Sequence, residues 1–232
     1  MAARYCRAAK IQLLQIGRRP SIRRRAPLRT VRSMRVYGDM NSGNCLKVRY
    51  VADRLGLSYD WVEVDIMKGG SRTDAFLALS PMGQVPLVVL DDGRPLAQSN
   101  AIMRFLAEGS ELVPADAYLR AKMDEVLFWE QNLHEPFVAG CIFQMVYLGK
   151  TVAERDPERV ARAEKALDLM ERLVAGRTWF VGDSITLADI ALLAYTRRAP
   201  MGGFDLAGRP AVTEWIARCE RTLDLAPLRV AV

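Results

Sequence analysis

Residues 81–99 have the sequence PMGQVPLVVLDDGRPLAQS, which contains the clearest local signal in the chain. Two candidate strands, Val85–Leu90 and Arg94–Ala97, flank Asp91-Asp92-Gly93. An Asp-Gly pair between two such segments is typical of a β-hairpin, because the turn needs residues that tolerate positive φ. We therefore predict two antiparallel strands here, followed by a helix that Ser99 caps.

Strand-like and helix-like segments alternate before this hairpin. They are a short apolar strand, a helix with one apolar face that Gly56 ends, an alternating strand, and a short helix that Pro81 must end. In chain order they cover Met34–Tyr37, Cys45–Leu55, Tyr59–Val64 and Asp74–Leu79. With the hairpin and the helix after it, they give the order β-α-β-α-β-β-α within residues 34–109. That order predicts an α/β thioredoxin-like domain with a mixed sheet.

The strand signals stop after a linker at residues 110–117, and residues 118–232 have the pattern of an all-α helical bundle. Two long segments, Tyr118–Leu133 and Pro157–Val174, show helical periodicity. Further on, Thr186-Leu187-Ala188-Asp189 is a capping box with Asp in place of Glu. The helix that it opens is apolar nearly all round, so we expect it at the centre of its domain.

The net charge of +6 comes from the first 33 residues. They contain ten basic residues and no acidic one, which leaves 23 basic and 27 acidic residues from Met34 onward. Such a segment cannot bury enough apolar surface to offset its ordering entropy, so we predict a disordered basic extension at 1–33. A nucleic-acid-binding tail, a transit peptide, and an over-long start with Met34 as the true initiator are the interpretations left open.

Composition also excludes several classes of site. His134 is the only histidine, which argues against a zinc site or a Ser-His-Asp triad, and we expect it to be a hydrogen-bonded structural residue. The four cysteines are scattered without CxxC spacing, as in proteins of a reducing cytoplasm. No apolar run approaches the length of a membrane helix, so a membrane is not an expected partner. The part from Met34 onward is mildly acidic, so a nucleic acid is not an expected partner of it either.

The first candidate site is the loop Ser42-Gly43-Asn44-Cys45 at a helix N-terminus. In a thioredoxin-like fold this corner is reactive, because the helix dipole stabilises an anion there. Redox members place CxxC here, whereas this chain has a hydroxyl in place of the first sulfur. The Ser42 hydroxyl therefore suits a substrate's thiolate, with Asn44 and Cys45 as supporting groups. Alternatively, Ser42 is a plain helix-capping serine.

Two further points complete a slot for a short thiol peptide. Proline at a strand start leaves backbone groups unpaired, so Pro86 would leave Val85 free to pair with an extended peptide. Gln98 and Ser99 begin a helix whose N–H groups and dipole suit a carboxylate. Read alone, Pro86 is an ordinary edge-strand proline and Ser99 an ordinary cap.

Five phrases together make the chain resemble a bacterial glutathione transferase of the serine-using, theta-like type over residues 34–232. They are SGNCLKVR at 42–49, DIMKGG at 65–70, FLALSPMGQVP at 76–86, QSNAI at 98–102 and TLAD at 186–189. The resemblance implies a cis peptide at Pro86, glutathione as co-substrate bound at Val85, Gln98 and Ser99, no metal, and a homodimer. It places Gln84 and the Lys68–Arg72 stretch near the glycine carboxylate of glutathione.

The implied activity is detoxification by glutathione transfer to a small apolar alkyl or aryl electrophile, with Ser42 as the catalytic hydroxyl. The family commonly has Glu where Gln98 stands, and Gln98 cannot be anionic toward the glutathione ammonium. Aromatic residues between Phe128 and Tyr147 are candidates for the electrophile pocket, although core packing is the more frequent role at such spacings. A non-catalytic interaction module of the same fold is the alternative, and a glutathione-dependent reductase is disfavoured because Ser42 replaces its cysteine.

Overall fold

A computed structural model describes residues 33–228, so the predicted extension at 1–33 lies almost entirely outside the described residues. The described part begins with a four-stranded sheet of order β2-β1-β3-β4. The strands are β1 Met34–Gly38, β2 Asp60–Glu63, β3 Leu87–Leu90 and β4 Pro95–Ala97. Since β1 is parallel to β2 and antiparallel to β3, the sheet is mixed. The predicted hairpin is the antiparallel pair β3–β4.

Three helices accompany the sheet: α1 Gly43–Arg54, α2 Asp74–Leu79 and α3 Ser99–Leu106. All four residues of β3 are buried, as expected for an apolar strand between two neighbours. With α1 and α3 packed against each other, the first part of the chain has the predicted thioredoxin-like arrangement. Gly56 follows α1 with φ of 62°, which is the conformation that glycine supplies after a helix.

The second part of the chain is helical. Its helices are α4 Ala117–Trp129, α5 Glu135–Val146, α6 Pro157–Val174, α7 Leu187–Thr196 and α8 Pro210–Thr222. All ten residues of α7 are buried, which confirms its central position. The capping box at its start is formed as predicted, because the Asp189 carboxylate accepts hydrogen bonds from the N–H and the hydroxyl of Thr186.

The prediction of one continuous helix over Tyr118–Leu133 is wrong at its end. A turn of π-helix at Glu130–His134 separates α4 from α5. Pro136 explains why the regular ladder cannot continue, since it has no N–H to donate to the carbonyl of Asn132. A π-turn inside a helix is rare and often marks a functional site.

One hydrophobic core runs through both parts of the chain. Helix α1 packs directly on α7, so the N-terminus of α1 is fixed against the helical part. Within residues 33–228, no helix combines the length and the apolar character needed to cross a membrane.

Candidate functional site

A cleft of about 690 Å³ lies between the sheet and the helical part. Most of the residues singled out in the sequence line it: Ser42, Asn44, Arg72, Gln84, Val85, Pro86, Gln98 and Ser99. Two do not, Lys68 and Cys45. The opposite wall comes from the π-turn, from α5, and from single residues of α6 and α7. The β1–α1 loop, the residues before β3 and the start of α3 thus meet at one cleft, although the first of them lies far from the other two in the sequence.

The N-terminus of α1 is capped by two hydroxyl groups. Ser42 is the N-cap residue, and its Oγ accepts a hydrogen bond from the N–H of Cys45 at 3.5 Å. The Oη of Tyr195 on α7 accepts the N–H of Asn44 at 3.0 Å. Burial raises the pKa of Tyr195 well above its usual value, so its phenol keeps its proton. Among the described residues no group accepts that proton, which leaves the Tyr195 hydroxyl as a donor at the cleft.

The Asn44 side chain connects three elements around the cleft. Its Nδ2 donates to Oε1 of Glu135 on α5 at 3.1 Å, and its Oδ1 accepts from the Ser99 hydroxyl at 3.1 Å. Burial raises the pKa of Glu135, although Lys47 and the Asn44 amide oppose that shift. Asn44 therefore fixes the relative position of α1, α3 and α5.

The Val85–Pro86 peptide bond is cis, as the resemblance implied. Within the described chain, neither the N–H nor the C=O of Val85 is engaged by another residue. Strand β3 begins only at Leu87, two residues later than predicted, and it is an inner strand rather than an edge strand. Val85 lines the cleft, and an unpaired backbone N–H and C=O can pair with an extended peptide.

The prediction that Ser99 caps α3 is wrong. Gln98 is the N-cap residue, with φ of 70°, and its side chain makes no capping hydrogen bond. Ser99 is instead the first helical residue, and its hydroxyl donates to Asn44. A non-glycine residue at positive φ occupies a sparsely populated region, and such residues concentrate at ligand-binding sites. The side-chain amide of Gln98 also lies 3.5 Å from Oε1 of Gln84.

Of the two basic residues predicted near the glycine carboxylate, only Arg72 lines the cleft. Its guanidinium donates to the C=O of Met82 at 3.3 Å and packs so closely on Gly83 that a Cβ there would meet it. The Lys68 side chain is 86% exposed and pairs with Asp65 at 3.0 Å. Arg72 is therefore the better placed of the two for an anionic ligand.

Cys45, predicted as support for the thiolate, is fully buried under the N-terminus of α1. Its Sγ accepts the N–H of Asp39 at 3.4 Å. Burial raises the pKa of the Cys45 thiol to about 11, and its hydrogen bonds with Ser42 and Asp39 offset only part of that shift. A neutral, enclosed thiol of this kind is unreactive at neutral pH.

Part of the helical wall is aromatic. The rings of Phe143 and Tyr147 are stacked with centroids 5.0 Å apart, and the Tyr147 hydroxyl donates to the Asp39 carboxylate at 2.7 Å. Phe128 lies outside the cleft and is 70% exposed, while Trp129 and Phe137 border a separate groove. Of the aromatic candidates, only Phe143 and Tyr147 therefore reach the cleft.

His134 is buried, and its Nε2 lies 3.0 Å from the Thr196 hydroxyl. Burial, reinforced by the charge of Lys47, lowers the pKa of His134 to about 3. The residue is therefore neutral and structural, as predicted.

Sequence reasoning missed the polar cleft residues of α5, α6 and α7, which are Glu135, Arg159 and Tyr195. Each sits on a helix whose periodicity indicates only packing. Nothing in the local pattern shows that α5, α6 and α7 present these side chains to the loop after β1. Pro136 next to Glu135 was the one available signal, because it marks the break at which α5 begins.

A thioredoxin-like sheet joined to a helical bundle, with the β1–α1 loop, the cis-proline and the start of α3 around one cleft, defines the glutathione transferase class of fold. Family models confirm it: the glutathione S-transferase N-terminal domain matches residues 41–108, and the C-terminal domain matches residues 134–222. The chain belongs to the glutathione S-transferase family.

Individual relatives agree with this assignment. Glutathione S-transferase 3 of Zea mays is 35% identical over 197 residues, which are 78% of this chain and 86% of the maize protein. A glutathione S-transferase structure from Pseudomonas fluorescens is 42% identical with a TM-score of 0.78, covering 81% of this chain and 94% of that one. A glutathione transferase homologue from Drosophila mojavensis, solved with bound glutathione, is 27% identical with a TM-score of 0.73, covering 82% and 88%.

Proposed function

We propose that this protein is a catalytically active glutathione transferase that binds glutathione in the cleft and directs its thiolate at an electrophile. One observation carries the proposal. The Ser42 hydroxyl stands at the N-terminus of α1, in the same cleft as the free backbone of Val85 and the start of α3. These three points are the anchors that a short thiol peptide needs.

Glutathione would lie extended along the sheet side of the cleft. Its backbone would pair with the N–H and C=O of Val85, as an added strand does. The γ-glutamyl carboxylate would meet the N–H groups at the start of α3, at Gln98 and Ser99, where the helix dipole favours an anion. The glycine carboxylate would lie toward Gln84 and Arg72, and the exposed Lys68 would contribute at most at long range.

The chemistry needs only a stabilised thiolate. Ser42 donates its hydroxyl proton as a hydrogen bond to the sulfur, and the α1 dipole adds to that stabilisation. The thiolate sulfur then attacks the electrophilic carbon, a carbon–sulfur bond forms, and the leaving group departs with its electron pair. Ile142, Phe143 and Tyr147 supply an apolar wall for the electrophile on the other side of the cleft.

Two alternatives make different demands on the same cleft. A glutathione-dependent reductase needs a reactive thiol, yet none of the described residues lining the cleft is a cysteine, and Cys45 beneath it is buried. A non-catalytic module could retain the glutathione anchors while lacking a competent thiolate site. The presence of the Ser42 hydroxyl in the cleft lining favours the enzyme over this module.

A homodimer and a cytoplasmic location remain parts of the proposal. The apolar residues Phe128 and Leu133 are 70% and 51% exposed at the end of α4 and in the π-turn, and a second copy would cover them. Dimerisation is also typical of glutathione transferases. Sedimentation of the wild-type protein and of Phe128→Asp at micromolar concentration tests whether the protein is a dimer.

Calorimetry with glutathione and turnover of 1-chloro-2,4-dinitrobenzene test the main proposal together. Binding with turnover above the uncatalysed rate is the expected result. Binding without turnover of this and other electrophile classes would favour the interaction module. Absence of glutathione binding would overturn the proposal altogether.

A further inference from the structure

Arg159, near the start of α6, reaches across to α5 and forms part of the cleft wall. Its guanidinium donates to the C=O of Pro136 at the beginning of α5. Its Nε is buried and has no hydrogen-bond partner. In residues 33–228 no carboxylate forms an ion pair with it, whereas Arg162, about one turn further along α6, pairs with Glu158 at 2.8 Å.

Helix α5 accommodates this side chain at Gly140. A Cβ built on Gly140 would overlap the guanidinium and the Cδ of Arg159. Glycine in a helix interior is destabilising relative to alanine, and φ at Gly140 does not require it. The glycine therefore serves to let the arginine lie against the helix at the edge of the cleft.

The charges around Arg159 do not neutralise it. Three charged residues line the cleft, Arg72, Arg159 and Glu135. The Glu135 carboxylate accepts a hydrogen bond from the Asn44 amide. The charge of Lys47 lowers the pKa of Glu135 more than the charge of Arg159 does. A guanidinium is always charged in proteins, and a partly desolvated charge without a counter-ion is unfavourable. An anionic ligand would remove this cost.

We infer that Arg159 is a specificity-determining residue that binds a carboxylate on the electrophile, so the second substrate is an apolar or aromatic molecule with an acidic end. The inference rests on the proposed function and refines its apolar electrophile. A guanidinium matches a carboxylate through two parallel hydrogen bonds. Measured along the axis of α5, Phe143 lies about 4.5 Å and Tyr147 about 10 Å beyond Gly140. One aromatic ring of the substrate fits between a carboxylate bound at Arg159 and the Tyr147 side chain.

The test compares two glutathione conjugates that differ only in charge, S-(4-carboxybenzyl)glutathione and S-(4-carbamoylbenzyl)glutathione, with S-methylglutathione as the reference. Binding is measured by calorimetry, so no turnover is needed. We expect the wild-type protein to prefer the carboxylate by about tenfold or more, the range of a hydrogen bond to a charged group. Arg159→Gln should abolish that preference.

Two variants make the result specific. Arg162→Gln removes the same charge from the same helix one turn further on, outside the cleft, and should keep the preference. Gly140→Ala retains the arginine but displaces it, and should lose the preference as Arg159→Gln does.

Equal binding of the two conjugates by the wild-type protein would overturn the inference, as would a preference that survives in Arg159→Gln. In either case S-methylglutathione still binds, so the glutathione-binding part of the proposed function stands. If S-methylglutathione does not bind, the proposed function fails and the inference fails with it.

Discussion

The backbone N–H of Asn44 donates to the Tyr195 hydroxyl at 3.0 Å, across 151 residues of chain. The ring of Tyr195 lies so close to Gly43 that any Cβ there would overlap it. This contact seats the start of α1, and with it Ser42, on the buried helix α7. The position of the candidate catalytic hydroxyl therefore depends on the helical part of the chain as well as on the sheet.

Replacing Tyr195 with Phe keeps the ring and removes only the acceptor of the Asn44 N–H. The hydrogen bond is part-buried, so losing it should lower the free energy of unfolding by about 0.5–1.5 kcal/mol, the usual net contribution of one hydrogen bond. Urea denaturation measures it. Tyr118→Phe is the matched control, because Tyr118 is 71% exposed, and it should change stability by less than about 0.5 kcal/mol. Equal effects of the two variants would mean that the Asn44–Tyr195 contact is unimportant.

Local signals account for the parts of the fold that were predicted well. The Thr186–Asp189 capping box lies within four residues of sequence, and the β3–β4 hairpin within eleven. The Ser99 cap was predicted by the same reasoning and is wrong. Its hydroxyl donates to the Asn44 side chain, 55 residues away, and no local pattern reveals that partner.

The residues missed at the site were missed for the same reason. Arg159 and Tyr195 occupy ordinary helical positions, and only the packing of α6 on α5 and of α7 on α1 brings them to the cleft. The hydrophobic periodicity that predicts a helix does not show which neighbour it will meet. The sequence therefore predicts the sheet side of the cleft and much less of the helical side.

A buried ion pair joins the two parts of the chain beside this cleft. The Lys47 ammonium on α1 lies 2.8 Å from both carboxylate oxygens of Glu130 in the π-turn, and both side chains are fully buried. Removing one partner leaves an uncompensated buried charge, which costs about 3–5 kcal/mol. Lys47→Met should therefore destabilise the protein by about that amount in urea denaturation.

The double variant Lys47→Met/Glu130→Met distinguishes a buried charge from lost packing. Replacing both members of a buried pair with apolar residues is often neutral or stabilising, so most of the lost stability should return. The exposed pair Arg49–Asp53, at 3.4 Å, is the control, and Arg49→Met should cost less than about 1 kcal/mol. A double variant no more stable than Lys47→Met would contradict this account.

Cys45 should resist alkylation in the folded protein. Its pKa is raised to about 11, so at pH 8 only about one thiol in a thousand is ionised. As the pH rises toward that pKa, the thiolate fraction increases about tenfold per pH unit, but burial still blocks access to the sulfur. Iodoacetamide labelling followed by peptide mass spectrometry, with urea-unfolded protein as the control, measures it. Rapid labelling of Cys45 at pH 8 would reopen the reductase interpretation.

Ser42→Ala tests the proposed mechanism most directly. A free thiol with a pKa of about 8.5 is only a few per cent ionised at neutral pH. Lowering that pKa to about 6.5 requires about 2.7 kcal/mol of differential stabilisation. A hydrogen bond to a charged group supplies about 1.5–3 kcal/mol and the helix N-terminus about 0.3–1 more, so one hydroxyl with the α1 dipole suffices.

The variant should therefore raise the pKa of bound glutathione by about one to two units and leave its affinity nearly unchanged. The measurement is the thiolate absorbance of the protein–glutathione complex as a function of pH. Ser42→Thr separates this role from helix capping, since it retains a hydroxyl and a good N-cap and should restore the wild-type profile. If the Ser42→Ala profile did not move, the thiolate would have another donor. The Tyr195 hydroxyl, whose proton has no acceptor among the described residues, would be the next group to replace.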